Sequence, residues 1–460
     1  MQKSIINTLI IFTLIFLISE EAISQNLRVS ENGRFLVKSD STPFIWIGDT
    51  AWELFHRLNQ EEADLYLEDR AEKGFNVIKA VVLAEQDGLN TPNANGDIPL
   101  INNDPGQPNE AYFVHVDAIV DKAESLGMYV GMLPTWGDKF NKRWGVGPEV
   151  FTPENARTFG EYLGKRYKDK PIIWILGGDR IPEEEEDFAI IRAMAEGLEK
   201  GDGGAHLMTY HPMGGRGSSE FFHQDEWLDF NMFQSGHCGL DFPNYQFTQN
   251  DYQLTPVKPT LDGEPRYEDI PICFELNNGR HQALDVRQAA YWSILAGAFG
   301  HTYGNSNIWQ MWAPGREPIL GARIAWYDAI EQAGALQMGY VRRLFESRPF
   351  LDLIPDQDIL SFAFNGTDQQ IRAARSEDGK YLFVYTPFGK SFQVKLDKIK
   401  GERLKAYWYN PREGISTIIG EFSNDGGVRT FTPPSTGRYM DWVLILDDAS
   451  MSFEAPGLEP

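Results

Sequence analysis

The chain has little cysteine, a deficit of basic residues and, after its first residues, no long apolar run. Only Cys238 and Cys273 occur among 460 residues, so at most one disulfide can form. Lys and Arg number 42 against 66 Asp and Glu, which gives a net charge of −24. Such an acidic surface repels nucleic acid and anionic membranes. We therefore expect no nucleic-acid partner and a fold stabilised by burial in a large core.

A short apolar segment at the start of the chain predicts export. Lys3 supplies a positive charge, residues 5–18 are almost wholly apolar, and Ala22 and Ser24 place small residues at the usual cleavage spacing. The run is shorter than the roughly 20 residues of a membrane span. We predict a signal peptide over residues 1–24, with an uncleaved anchor as the alternative. The expected location is periplasmic or extracellular, with no membrane attachment after cleavage.

Strand and helix patterns alternate through most of the remaining chain. Runs rich in Val, Ile and aromatic residues alternate with helix-patterned stretches, which favours βα units and a parallel sheet. The predicted strands are residues 44–48, 76–83, 129–134, 172–176, 207–210, 230–234, 259–261 and 298–303. Eight strands are the number that closes a (β/α)8 TIM barrel. We predict such an α/β catalytic barrel over residues 27–347.

Helix boundary signals stand between these strands. The predicted helices cover residues 61–73, 114–126, 285–295 and 322–345, and a further one starts at 153. Gly74 and Gly127 follow two of them at the C-cap position, and Thr152 and Pro153 predict an N-cap and a first turn. The acidic run 183–187 suits the first turn of a helix. We interpret that run as solvated surface, with a metal site as the alternative.

The pattern changes to a period of two from about Arg348 onward. Short alternating runs cover residues 360–364, 371–376, 381–386, 392–396, 405–409, 428–432 and 442–446. Turn signals such as Glu377-Asp378-Gly379 and Asn410-Pro411 separate them. Because no helical pattern intervenes, we predict a small all-β sandwich over residues 348–452, closely packed on the barrel.

Polar and aromatic residues crowd at the predicted C-terminal ends of the barrel strands, where a (β/α)8 barrel carries its chemistry. They are Asp49 and Trp52 after the first strand, Trp136 after the third, Asp179 and Arg180 after the fourth, His211 after the fifth, His237 after the sixth, Glu264 and Tyr267 after the seventh, and Tyr303 after the eighth. One such end would mean little, but seven in order predict an active site.

Asp179 and Glu264 form the best catalytic pair. Glycoside cleavage needs two carboxyl groups that flank the bond, and strands four and seven face each other across a small barrel. Glycine precedes both residues, which permits a sharp turn or a close approach to a ligand. The alternative is structural: Asp179 caps a helix, and Glu264 pairs with Arg266 on the surface.

The roles of the two carboxyls follow from their strand positions. Barrel glycosidases of the large retaining clan carry the acid/base after strand four and the nucleophile after strand seven, which predicts Asp179 as acid/base and Glu264 as nucleophile. The acid must keep its proton near neutral pH, so burial or a neighbouring carboxylate should raise its pKa. Glu268 and Glu275 are rival nucleophiles, but they lie beyond the expected strand end.

The remaining strand-end residues are predicted to bind substrate. Trp52 and Trp136 suit stacking on sugar rings, or equally the aromatic core of the barrel rim. His211 and His237 suit hydrogen bonds to sugar hydroxyls, or a purely structural role. Tyr267 and Tyr303 are expected to orient the strand-seven carboxylate. Arg180 is expected to point away from Asp179, toward Asp49 or the substrate.

Other chemistries lack their motifs in this sequence. There is no Gly-rich phosphate loop, no His-x-x-x-His zinc helix and no nucleophilic serine elbow. We therefore expect neither a metal nor a cofactor, and an oligosaccharide or polysaccharide as the partner.

Several long motifs, in order along the chain, are similar to those of a known family. They are Trp46-Ile47-Gly48-Asp49-Thr50-Ala51-Trp52, the stretch 70–78, Leu176-Gly177-Gly178-Asp179-Arg180, Leu261-Asp262-Gly263-Glu264-Pro265 with Tyr267-Glu268, and the stretch 290–304. Over roughly residues 27–448 the chain resembles the apiosidase-like glycoside hydrolases, family 140. Its C-terminal part resembles a β-domain named for collagen binding.

The resemblance implies a barrel enzyme of bacterial polysaccharide breakdown. In that family the characterised activity cleaves apiose linkages in side chains of the pectin rhamnogalacturonan-II, with an Asp and a Glu as the catalytic pair. Asp179 matches the first, and Glu264 matches the second better than Glu275 does. The resemblance leaves the sugar open, and an acidic enzyme that attacks acidic pectin would need local positive groups.

Two other classes of function compete with a hydrolase. A non-catalytic carbohydrate-binding or surface-adhesion protein could retain the barrel, but the presence of both Asp179 and Glu264 argues against it. A collagen-binding or collagen-degrading protein is suggested by the name of the C-terminal domain alone. Degradation would need a protease nucleophile or a metal site, and the sequence shows neither.

Overall fold

The computed structural model describes residues 26–458, so the predicted signal peptide over residues 1–24 lies outside the described residues. A three-stranded antiparallel ribbon comes first: β1 (Arg28–Val29), β2 (Leu36–Val37) and β3 (Pro43–Phe44). The ring of Phe44 meets that of Tyr129, at the start of a barrel strand, edge-on at 5.2 Å. The ribbon therefore covers the N-terminal end of the barrel, away from the end that carries the chemistry.

All eight predicted barrel strands are present, with boundaries shifted by a few residues. They are β4 (Trp46–Thr50), β5 (Val77–Leu83), β6 (Tyr129–Thr135), β7 (Ile172–Gly177) and β8 (Met208–His211), and then, after a short β9 (Arg216–Gly217), β10 (Asn231–Gln234), β11 (Thr260–Asp262) and β12 (Gly300–Tyr303). The sheet order is β8-β7-β6-β5-β4-β12-β11-β10-β9, and only β9 runs antiparallel.

The gap between β8 and β10 is bridged near the starts of the two strands. The N–H of Asp229 donates to the carbonyl of Met208 at 2.9 Å, and the Thr209 hydroxyl donates to the carbonyl of Phe230 at 2.7 Å. These bonds bring the two ends of the sheet together. The prediction of a (β/α)8 barrel is confirmed.

The helices lie between the strands, and local capping explains where several begin. They are α1 (Leu54–Arg57), α2 (Gln60–Glu72), α3 (Glu110–Ser125), α4 (Pro153–Tyr167), α5 (Glu185–Asp202), α6 (Ser219–Phe222), α7 (Asn244–Tyr252), α8 (Ala283–Ile294), α9 (Trp326–Ala329) and α10 (Ala333–Glu346). Thr152 caps α4 in a capping box with Asn155. The single helix predicted over residues 322–345 is wrong, because Gln332 is extended and separates α9 from α10.

The acidic run 183–187 lies at the start of α5. The Asp187 carboxylate accepts the backbone N–H groups of Glu183 and Glu184 at 2.8 and 3.2 Å, so its position is explained by capping. Across residues 26–458 no group of His, Cys, Asp or Glu side chains is arranged to hold a metal ion. None of the helices in that range has the length and apolar character needed to span a bilayer.

Residues after Arg348 form an all-β domain, as predicted. One sheet has the order β13-β15-β16-β21-β18-β19 and the other β14-β17-β20. The strands are β13 (Leu353–Pro355), β14 (Leu360–Phe362), β15 (Arg372–Ser376), β16 (Tyr381–Thr386), β17 (Phe392–Lys395), β18 (Arg403–Asn410), β19 (Ile415–Ser423), β20 (Val428–Phe431) and β21 (Trp442–Asp448). The alternating pattern misses β13 and β19; β19 is an edge strand that buries no residue.

The barrel and the β-domain share one hydrophobic core. Tyr291 of α8 stacks on Tyr385 of β16 with ring centroids 4.6 Å apart, and Phe345 of α10 meets Phe383 edge-on at 5.3 Å. Residues of both domains belong to the same buried cluster. The β-domain therefore supports the outer helices of the barrel, away from the strand ends.

Candidate active site

A cavity of about 730 Å³ opens at the C-terminal ends of the barrel strands. Its wall includes a residue from almost every strand end: Trp52 after β4, Glu85 after β5, Trp136 after β6, Asp179 after β7, Ser235 after β10 and Glu264 after β11. Asp179 and Glu264, which lie 85 positions apart in the sequence, thus face one common cavity. This is the condition that glycosidic cleavage by a carboxyl pair requires.

Two glycines make the turn that presents Asp179. Gly177, Gly178 and Asp179 all have positive φ, of 92°, 108° and 55°, a region that side chains other than those of Gly, Asn and Asp rarely adopt. A Cβ on Gly178 would lie 2.9 Å from the backbone of Trp136, and one on Gly177 would lie 2.6 Å from the carbonyl of His211. The predicted need for glycine at this turn is therefore explained by both conformation and space.

The surroundings of Asp179 favour its protonated form. Desolvation raises the pKa of Asp179 well above its ordinary value, and the negative charges of Glu264 and Glu85 raise it further. Arg180 and a hydrogen bond from the indole N–H of Trp144, at 3.0 Å, act in the opposite direction but are weaker. A carboxyl group in this state is suited to donate a proton.

The surroundings of Glu264 favour its ionised form. Its two oxygens contact the Nε2 atoms of His211 and His237 at 3.0 and 3.1 Å. Burial alone would raise the pKa of Glu264, but these two hydrogen bonds outweigh it and leave the pKa lowered. An ionised carboxylate only accepts, so both histidines must donate from Nε2. Glu264 is thus held as an oriented carboxylate, the form in which a carboxyl group can attack carbon or activate water.

Four of the predicted binding residues line the cavity. Trp52, Trp136, His237 and Tyr267 form part of its wall, and the two indole rings lie 5.2 Å apart, with Trp52 only 2% exposed. Burial raises the pKa of the Tyr267 hydroxyl, and the negative charge of Glu264 raises it further. The hydroxyl therefore stays protonated beside that carboxylate. His211 lies behind the wall, and it contacts Glu264 rather than the open space.

Asp49 and Tyr303 belong to buried networks outside the cavity wall. Asp49 is fully buried and accepts from the guanidinium of Arg70 and the hydroxyl of Tyr66. The Tyr303 hydroxyl donates to Glu268 at 2.6 Å, so it orients that carboxylate and not Glu264. The polar atoms of Asp49 and Tyr303 are thus used inside the barrel, and their contact with substrate stays a prediction.

Arg180 shapes a loop rather than binding in the cavity. Its guanidinium donates to the carbonyls of Asn141 and Trp144, as well as to that of Asp179, and it stacks on the Trp144 ring at 4.0 Å. Among the described residues these donors bond to carbonyls and not to the Asp179 carboxyl, although the charge of Arg180 still acts on that carboxyl. The predicted contact of Arg180 with Asp49 is wrong, because its donors bond to backbone carbonyls; its contact with substrate stays a prediction.

The rival nucleophiles lie elsewhere. Glu268 is buried against Tyr303 and accepts the N–H of Gly334 at 3.0 Å, whereas Glu275 is exposed. Arg266, the alternative partner of Glu264, is buried and donates instead to the carbonyl of Leu240 and the side chain of Gln288. The structure therefore leaves Glu264 as the seventh-strand carboxyl that faces Asp179.

The cavity wall also contains residues that the sequence did not predict. Glu85 follows the second barrel strand, so the strand-end rule that indicates Asp179 also indicates Glu85. Trp144, Trp309 and Phe274 also line the cavity, but they come from long loops whose course no sequence pattern fixes. Lys79, buried under the Trp52 ring at 4.3 Å, sits inside an apolar strand and gave no signal beyond its charge.

A disulfide joins two of these loops. Cys238, which follows β10 and lines the cavity, is bonded to Cys273, which lies in the loop after β11. The Cys273 N–H also donates to the carbonyl of His237 at 2.9 Å. The covalent link therefore restrains the segment that carries His237, one of the two donors to Glu264.

Comparisons with known proteins agree with this geometry. Residues 30–352 match the family model of the apiosidase-like catalytic domain, and residues 354–447 match a model whose description provisionally assigns collagen binding in a collagenase. A comparison with curated proteins gives no match.

Two solved structures are similar over nearly the whole chain. One, described as a glycoside hydrolase, is 35% identical, with a TM-score of 0.85 and coverage of 93% of this chain and 98% of its own. The other, described as a family 5 glycoside hydrolase from Bacteroides vulgatus ATCC 8482, is 34% identical, with a TM-score of 0.87 and coverage of 95% and 97%. None of these descriptions carries the family number 140. The chain belongs to the apiosidase-like family, with the collagen-binding-type domain at its C-terminus, and it is a glycoside hydrolase.

Proposed function

We propose that this glycoside hydrolase cleaves an apiose linkage in a pectin-type plant cell-wall polysaccharide, with retention of configuration. In this proposal Asp179 is the general acid/base and Glu264 is the nucleophile. The observation that carries it is the contrast between two carboxyls on one cavity: the pKa of Asp179 is raised and that of Glu264 is lowered. Environments that push two such pKa values apart are typical of an acid and its partner carboxylate.

The reaction would take place in two steps. In the first, the Glu264 carboxylate attacks the anomeric carbon while Asp179 gives its proton to the departing glycosidic oxygen, which breaks the bond and forms a glycosyl ester. In the second, the Asp179 carboxylate takes a proton from water, whose oxygen displaces Glu264. Loss of the negative charge on Glu264 in the first step lowers the pKa of Asp179, which suits its change from acid to base.

Aromatic side chains support a sugar substrate. Trp52, Trp136, Trp144 and Trp309 all contribute to the cavity wall, and indole rings stack on the apolar faces of sugars. The choice of apiose rests on the family to which the chain belongs. The Cys238–Cys273 disulfide supports export to the periplasm or the cell exterior, because disulfides persist in oxidising compartments.

Substitution of the two carboxyls tests the chemistry. We expect Asp179→Asn and Glu264→Gln each to lower kcat by at least about 1,000-fold, because the two groups act together on the same transition state. Circular dichroism spectra should be unchanged. Glu275→Gln, a change at an exposed carboxyl outside the cavity, is the matched control and should keep wild-type kcat. Wild-type turnover by either carboxyl variant would contradict the assignment of that residue.

The sugar and the stereochemistry need a separate experiment. The wild-type enzyme is incubated with pectin oligosaccharides and with a panel of aryl glycosides that includes an apioside, and the released sugar is identified by mass spectrometry. Proton NMR of the first product then gives its anomeric configuration. We expect free apiose with the configuration of the substrate. Release of another sugar would refute the apiose proposal, and an inverted product would refute Glu264 as nucleophile.

A further inference from the structure

Glu85 is a third carboxyl on the wall that holds Asp179 and Glu264. The backbone on either side of it is fixed by buried side chains. The carbonyl of Ala84 accepts from Nζ of Lys139 at 3.0 Å, and the N–H of Gln86 donates to Glu53 at 3.1 Å. Glu85 is therefore held at a defined place in the cavity, as a binding group needs to be.

The Glu85 side chain itself has no partner among residues 26–458: it takes part in no hydrogen bond or ion pair there. The nearby cations are committed elsewhere. Nζ of Lys139 contacts Asp138 at 2.7 Å, and the Arg180 guanidinium donates to three backbone carbonyls. The half-buried Glu85 carboxyl lines the cavity with its acceptor sites unused by the described residues, so it can accept hydrogen bonds from a ligand bound there.

The charges that face Glu85 agree with its position. Desolvation first, and then the charges of Glu53 and Asp138, raise the pKa of Glu85 to about 7, while Arg180 and Lys139 lower it. Asp179, in turn, faces Glu264, Glu85, Arg180 and the indole of Trp144. Glu85 thus adds negative charge near Asp179. It lies on the wall of the cavity in which a sugar would bind.

The described wall of the cavity contains three carboxyls and neither lysine nor arginine. A uronic acid placed there would bring a further negative charge beside the ionised Glu264 and the carboxyl groups of Asp179 and Glu85, with no lysine or arginine on the described wall to neutralise it. A neutral sugar would bring hydroxyl groups, which can donate to a carboxylate. The cavity therefore favours uncharged sugars over uronic acids. The uronic acid residues of a pectin chain would have to lie outside the cavity.

We propose that Glu85 binds a hydroxyl group of the reacting sugar and, with the other two carboxyls, restricts that sugar to an uncharged one. The proposal rests on the catalytic cavity of the proposed function but not on apiose as the sugar. Glu85 acts here as a specificity residue, and Asp179 and Glu264 keep the roles given to them in the proposed function.

Binding tests this without turnover, because four tryptophans on the wall report occupancy through their fluorescence. The wild-type protein is titrated with apiose, arabinose and galacturonate. We expect quenching by at least one of the neutral sugars, no quenching by galacturonate, and a rise in Kd of about 10- to 100-fold in Glu85→Gln, the range for loss of a hydrogen bond to a charged group. Glu85→Asp should recover part of the affinity, and Glu154→Gln, at an exposed helix position, should match wild type.

Turnover provides the second arm. Matched 4-nitrophenyl glycosides of neutral sugars and of glucuronate are assayed across pH. In Glu85→Gln we expect kcat/KM for the neutral substrate to fall, and its alkaline limit to move to lower pH, because one charge that holds the Asp179 proton is gone. Cleavage of the uronide by wild type, or a Glu85→Gln enzyme with wild-type affinity and pH profile, would overturn the proposal. Cleavage of neutral glycosides but not of the apioside would refute apiose as the substrate, and it would still support the role proposed for Glu85.

Discussion

Lys79 lies inside the barrel on β5, fully buried. Its ammonium donates to the carbonyl of Gly263, the residue before Glu264, and faces the Trp52 ring, but it forms no ion pair with a carboxylate of residues 26–458. Desolvation therefore dominates and lowers the pKa of Lys79 from 10.5 to about 7, although Glu264, Asp262 and Asp49 act to raise it. Such a residue costs stability, and its bond to Gly263 positions the peptide that leads to Glu264.

We expect Lys79→Met to raise the free energy of unfolding and to lower kcat. Lys79 binds its proton more tightly in the unfolded chain than in the folded protein. The free energy of unfolding therefore rises as the pH goes from 7 to 10.5. Below pH 7 the buried charge costs the folded state its full penalty, up to about 5 kcal/mol. Loss of the bond to Gly263 costs about 1–3 kcal/mol in return. Urea unfolding should show a gain of about 2 kcal/mol at pH 6 and little at pH 9, with a lower kcat.

Lys139→Met is the matched comparison, because Lys139 is equally buried but its ammonium is bonded to Asp138. Its loss leaves that buried carboxylate without its countercharge, with the N–H of Gly147 as a remaining donor, so the protein should be destabilised. If Lys79→Met were destabilising at pH 6 to the same extent, Lys79 would be an ordinary structural lysine, and the account of its lowered pKa would be wrong.

At the scale of elements, the loop between β6 and α4 places Trp144 against the Asp179 carboxyl. Arg180 fixes that loop through the carbonyls of Asn141 and Trp144, and the indole N–H then reaches the Asp179 carboxyl at 3.0 Å. The loop thus bears on the proton of Asp179, and it does so in the opposite sense to Glu85. A hydrogen bond to the ionised form lowers the pKa, whereas a neighbouring negative charge raises it.

Trp144→Phe removes that hydrogen bond and keeps an aromatic ring. We expect the pKa of Asp179 to rise, so that the alkaline limit of kcat/KM moves to higher pH, while kcat near neutral pH changes less than about tenfold. The pH profile of the purified variant measures this. Trp227→Phe is the control, since its indole donates to Asp225, away from the cavity. A limit that moves to lower pH, or not at all, would contradict the role given to Trp144.

Sequence pattern predicted these elements far better than the loops between them. Strand runs such as 172–176 are apolar and short, and glycines mark their ends, so β7 and the turn to Asp179 were both accessible. Asp49 and Tyr303 stand at strand ends just as Asp179 does, but the rule cannot say which side chains turn inward to pair with Arg70 or Glu268. The positions of Trp144 and Phe274 depend on loop conformations that are determined by contacts with residues distant in sequence. The local hydrophobic pattern of the sequence does not predict such contacts.

At the scale of the whole molecule, the β-domain and the barrel are joined by buried charge as well as by aromatic rings. Arg287 of α8 contacts Asp441 with two bonds of 2.7 and 3.0 Å, and it donates to Gln337 of α10. Asp441 also accepts from the Tyr385 hydroxyl at 3.2 Å. Close packing of the two domains was expected from the lack of a linker, but this ion pair spans 154 positions and left no sequence signal.

Such an interface makes the two domains one unfolding unit, and Asp441→Asn should show it. The substitution leaves Arg287, which is 3% exposed, without its countercharge, and breaking a buried pair in this way costs about 3–5 kcal/mol. Arg287→Met combined with Asp441→Leu removes both charges and should cost less. In urea, hydrolytic activity and far-ultraviolet circular dichroism should be lost together in wild type and in both variants. Loss of β-domain signal at a lower urea concentration than loss of activity would mean that the barrel folds without its neighbour, and that the β-domain is not needed to hold the catalytic cavity.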